Sequence, residues 1–83
     1  MISLNAEIIK INDLQGTAIF LRDDVEYGWL EILGATELEC NEIIYGNFQK
    51  LGGTTIKTET GENVDVFIHD FCSLEVATEM VFG

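Results

Sequence analysis

His69 is the chain's only histidine, and with Asp65, Asp70, Cys72 and Cys40 it supplies the residue types that bind metals or attack electrophiles. A structural zinc centre closes on four ligands, commonly two spaced pairs of Cys or His. His69 and Cys72 do not form such a pair, and no second Cys pair completes the set. In a regular strand two residues at odd separation point to opposite faces, which would part His69 from Cys72. A Cys–His nucleophile needs a thiol beside the imidazole and an oxyanion donor. Only tertiary folding could bring Cys40 there. Fifteen acids make carboxylate pairs common by chance, and none falls in a recognisable motif. The run Gly52-Gly53-Thr54-Thr55 lacks the lysine and the spacing of a phosphate loop. The expectation is a non-enzymatic chain with no cofactor.

Contact chemistry is better represented. Tyr27 and Trp29 alternate on one face of a strand-like run with Glu31, and Asp24 and Glu26 flank them. Tyr45 and Phe48 are candidates for the same neighbourhood. Trp and Tyr ringed by charge are the residue types of an interface hot spot. Carboxylates two apart on a strand lie about 6.6–6.8 Å apart. Asp24/Glu26 and Glu37/Glu39 have that spacing, and such rows could imitate phosphates. The predicted partner surface is Tyr27, Trp29 and Glu31 with Asp24, Glu26, Glu37 and Glu39. The alternative is a nucleic-acid mimic that inhibits a basic DNA- or RNA-binding protein.

The charge balance supports contact with proteins over other partners. The formal charge is −11, against four cations, Lys10, Arg22, Lys50 and Lys57. Acids run along the whole chain. Binding DNA or RNA requires cations that displace counterions from phosphates, so an OB-like nucleic-acid module is disfavoured by charge. Anionic membranes are disfavoured likewise, and no apolar run approaches the ~18 residues of a membrane helix. A basic protein is the partner this field attracts. Two cysteines are fewer than a secreted disulfide scaffold carries. Residues 1–7 show no basic cluster ahead of a signal-length apolar run. A cytoplasmic protein with two reduced, partly buried thiols is expected.

The elements that must position these residues are mostly strands. Residues 64–72 are the densest β-forming run. Val66, Phe67 and Ile68 are apolar in succession, which predicts a central strand covered on both faces. Ile2, Leu4, Ala6 and Ile8 alternate with polar residues, then the phase slips at Ile8-Ile9, with Ile9 and Ile11 continuing on the other face. A β-bulge or bend is expected there. Further strands are predicted at 17–21, 25–33 and 42–48, with a short edge segment at 37–40. Gly34-Ala35 ends the third strand, and residues 49–53 read as a loop. Gly46 suggests a bulge or a close backbone approach. Residues 54–60 and 64–70 should pair as an antiparallel hairpin across 60–63. Ser73 as an N-cap, Glu75 in a first turn, a Leu74/Ala77/Val81 stripe and Gly83 favour a short final helix over a strand.

The whole of 1–83 reads as a single small domain. Its class is mainly β: a five- to six-stranded antiparallel barrel, OB-like or SH3-like in pattern, with at most one short C-terminal helix. An exposed edge at 37–40 or 54–60 would also permit a homodimer by strand pairing.

Overall fold

The structure, a computed structural model, describes residues 5–34 and 37–83. Ile2 and Leu4 of the first alternation, and Ala35 at the predicted end of the third strand, lie outside them. Six strands and a helix follow in order: β1 (Asn5–Asn12), β2 (Thr17–Arg22), β3 (Glu26–Ile32), β4 (Ile43–Tyr45), β5 (Gly52–Lys57), β6 (Asn63–Cys72) and α1 (Leu74–Phe82). The strands form one closed barrel in the order β1-β2-β3-β6-β5-β4, every neighbour antiparallel. No helix among the described residues is long and apolar enough to cross a membrane.

Period-two patterning fills the interior. Ala6 and Ile8, Ala18 and Phe20, and Val64, Val66 and Ile68 are buried in one cluster, closed from the connecting segments by Leu38 and Phe48. Each large apolar side chain buried in this way contributes about 1.5–3 kcal/mol. Gly28 lets β3 pass close over this core. A Cβ there would stand 2.5 Å from the Asp70 carbonyl oxygen and 2.6 Å from the Phe20 ring. Phe20 in turn meets Phe48 and, edge-on, Phe71. The guanidinium of Arg22 lies 3.8 Å over the Phe71 ring and donates to Glu26 and to the Phe48 carbonyl.

The last helix covers part of the outside. Ser73 Oγ accepts from the Val76 N–H at 3.2 Å, and Gly83 N–H closes the other end on Glu79. Ala77 and Val81, one turn apart, bury against Ile19 of β2, with Ile9, Tyr27, Trp29 and Cys72 around them. Asn12 Nδ2 ties the Val81 carbonyl to the end of β1 at 2.7 Å. Ile19 thus explains why 17–21 is apolar on both sides: the core takes one face and the helix takes the other.

Some expectations hold and others need correction. The slip in β1 is a bulge between Ile8 and Lys10. Ile9 faces the helix cluster while Ile11 packs on the interior, so the two do not share a face. At Val66–Ile68, β6 is covered only within, since Val66 and Ile68 are buried while Phe67 is 40% exposed. The fourth strand ends at Tyr45. Gly46 makes the close approach its type suggested, because a Cβ would meet Ile56 at 3.0 Å, and Phe48 turns into the core. Residues 37–40 form no strand, with Leu38 buried between exposed Glu37 and Glu39. Gly52 and Gly53 open β5 instead of belonging to a loop. The predicted 54–70 hairpin is β5–β6.

Candidate protein-contact face

The register of three strands assembles one outer face. On β3 it carries Trp29 and Glu31; on β6, Asp65, Phe67 and His69; on β5, Gly53 and Thr55. Phe67 stands between Glu31 and Gly53 across the ladders, and Asp65 stands opposite Thr55. Trp29 pairs with Asp70 and Leu30 with Ile68, so His69 is the extra residue of a bulge. That bulge aims the imidazole over the indole. Their rings stack with centroids 4.2 Å apart and planes within 6°. Phe67 also tilts against the imidazole, at 4.8 Å and 50°.

Carboxylates frame these rings. Glu31 Oε1 lies 3.3 Å from His69 Nε2, an ion pair when the imidazole is protonated. Thr55 Oγ1 donates to Asp65 Oδ1 at 2.7 Å. Leu33 extends β3 by donating its N–H to the Asp65 carbonyl at 2.9 Å, and its side chain is 55% exposed. A shallow groove of about 360 Å³ runs from Leu33 across Asp65 and Val66 to Gly53, Thr54 and Thr55. Aromatic surface, two acids and a groove therefore adjoin on the part of the barrel beyond α1.

The predicted contact residues divide. Tyr27, Trp29 and Glu31 share the outer face of β3, but Tyr27 and Trp29 are half-buried against the helix cluster. Asp24 lies in a turn with φ 57°, and Glu26 is engaged by Arg22. Glu37 and Glu39 lie between β3 and β4. Neither acidic pair lies within one strand, so the strand spacing behind the phosphate-imitating rows does not hold. Phe48 is inside, and Tyr45 sits on β4, three places round the ring from β3. The bulge also overturns the separation of His69 from Cys72. Cys72 packs in the helix cluster, so both residues face outward.

His69, Phe67 and Asp65 are members that sequence reasoning missed. The signal was present in the alternation of Asp65, Phe67 and His69 against Val64, Val66 and Ile68. Phe67, apolar on an outer face, disguised it. Among the described residues no group of three or more His, Cys, Asp or Glu side chains is placed to hold a metal ion. Cys40 is exposed, not partly buried as expected. Burial, with Asp70 and Glu26 nearby, pushes the Cys72 thiol above its ordinary range. That keeps it in the protonated, weakly nucleophilic form. No family model, curated protein or solved structure matches the chain.

Proposed function

We propose that this chain is a protein-binding module whose contact surface is the uncovered outer face of β3, β6 and β5. The observation that carries the reading is the Trp29–His69–Phe67 cluster, held on rigid strands and bordered by Glu31 and Asp65. Aromatic side chains pinned by packing offer contact area at low entropic cost, which is the property of hot-spot residues. A cationic side chain gains twice on such a face, from the ring faces and from the carboxylates. Nucleic acid gains only the stacking and meets the acids and a net charge of −11. The partner is therefore a protein with a basic and apolar contact patch, and the role is one of contact rather than catalysis.

The test is capture from nuclease-treated host lysate at ~0.1 M and ~0.5 M salt, across which the screening length falls about twofold. Wild type is compared with Phe67→Ser and Glu31→Lys, both surface changes. A partner retained by wild type and lost by both variants supports the face. A partner held equally by all three rejects it.

A further inference from the structure

The barrel closes unevenly at β5, and the register shows which backbone groups are left over. β5 pairs with β6 over its whole length, yet with β4 only at Tyr45↔Lys57. In an antiparallel strand the N–H and C=O of one residue point to the same side, and successive residues alternate. The Asp65 carbonyl accepts from Leu33, so Asp65 addresses β3. Thr55, directly opposite Asp65, therefore turns its own N–H and C=O away from β6. Gly53, opposite Phe67, does the same two residues earlier. β4 has ended by this point, Gly46 has veered towards Ile56 and Phe48 has entered the core. Among the described residues, β5 meets β4 only at Tyr45↔Lys57, and no turn or loop backbone bond reaches Gly53 or Thr55.

We propose that Gly53 and Thr55 are a strand-acceptor edge, and that its occupant is an extended segment of a partner protein. The segment carries an apolar side chain and, two residues away, a cationic one. The inference rests on the reading that the chain acts through protein contacts. Up to four main-chain hydrogen bonds are on offer, the usual source of affinity in strand addition. Specificity comes from what lies behind the edge. Adjacent strands are about 4.8 Å apart, so an added strand lies about 9.6 Å from β6. Gly53 has no side chain to intervene, which leaves the exposed Phe67 ring open to an apolar side chain placed opposite it. The next outward position of the added strand lies opposite Thr55, and behind Thr55 stands the Asp65 carboxylate. A lysine or arginine there reaches across to it. A second copy is the weaker occupant. It would bring another −11 of charge, and Lys50 and Lys57 bracket the edge in the manner that guards against self-pairing.

The experiment is an amide NMR titration of the full chain. The probe is a capped heptapeptide of threonines with one leucine and one arginine two positions apart. The control replaces arginine with glutamate. The expected result is that shifts and slowed amide exchange centre on Gly53 and Thr55. Asp65→Asn should weaken binding about two- to fivefold, the scale of an exposed ion pair. Thr55→Pro removes the outward N–H together with the hydroxyl that donates to Asp65; it should abolish binding, beyond the loss seen with Asp65→Asn, while the amide spectrum of β6 stays native. Shifts confined to Trp29, Phe67 and His69 overturn the edge while leaving the contact face standing. No shift anywhere with ~10 mM peptide, far above the range of specific complexes, overturns the edge as well. Protection of Gly53 and Thr55 by concentration of the protein alone overturns the choice of occupant in favour of a second copy.

Discussion

Replacing Gly28 by alanine should be among the most damaging single-methyl additions to this barrel. The added Cβ would meet the Asp70 carbonyl oxygen at 2.5 Å and the Phe20 ring at 2.6 Å. The oxygen belongs to the β6 backbone, so it cannot swing aside as a side-chain tip would. Phe20 is held by Phe48 and Phe71. Overpacking of this kind costs about 1–3 kcal/mol, and a fixed backbone neighbour places the case near the upper end. The lower backbone entropy of the unfolded alanine chain returns about 0.4–1 kcal/mol. The net loss is then about 2 kcal/mol, and with a urea m-value of about 1 kcal/mol/M the midpoint falls by about 2 M. Gly53→Ala is the control, since its nearest neighbour would be the Val66 carbonyl at 4.0 Å. There only the entropy gain remains. Equal midpoints for the two variants would refute the argument from close approach.

Three further outcomes can be measured on the isolated protein. Ser73→Ala removes the oxygen that accepts from Val76; it should cost about 1 kcal/mol and shift Trp29 emission to the red as α1 loosens from the cluster it shares with Trp29. Asp24 holds φ 57°, a region that penalises β-branched residues, so Asp24→Val should lie about 1–2 kcal/mol below Asp24→Gly by urea unfolding. Folding favours the neutral Cys72 thiol, so its stability contribution is complete below the ordinary cysteine range and is lost as pH rises through the raised folded value. Native alkylation of Cys72 should accordingly lag that of the unfolded chain between pH 8 and 9, the range in which an ordinary thiol ionises. Equal rates would show that the thiol is not shielded.

The barrel was legible because its signals are local. Alternation, Gly/Asn/Asp turns, the slip at Ile8-Ile9 and the Ser73 cap all act within a few residues. What escaped depends on partners distant in sequence. Alternation could have put Phe67 on the outer face, but nothing local sets it between Glu31 and Gly53, because that follows from pairing β6 with both β3 and β5. The bulge at His69 is equally silent, and it alone decides whether the imidazole reaches Trp29. Asp24 and Glu26 show the converse error. Spacing suggested a strand row, but two left-handed residues, Asp23 and Asp24, make the turn there. Glu31 and Trp29 were found because strand alternation alone places them together.

The central claim, that the β3–β6–β5 outer face is the contact surface, is tested most directly by mapping the captured partner onto the barrel. Isotope-labelled protein is titrated with that partner, and the backbone and ring resonances are followed. The account predicts that perturbation centres on Trp29, Glu31, Asp65, Phe67 and His69 and is reduced by salt. Perturbation centred instead on the exposed side of α1, at Val76 and Met80, would contradict it.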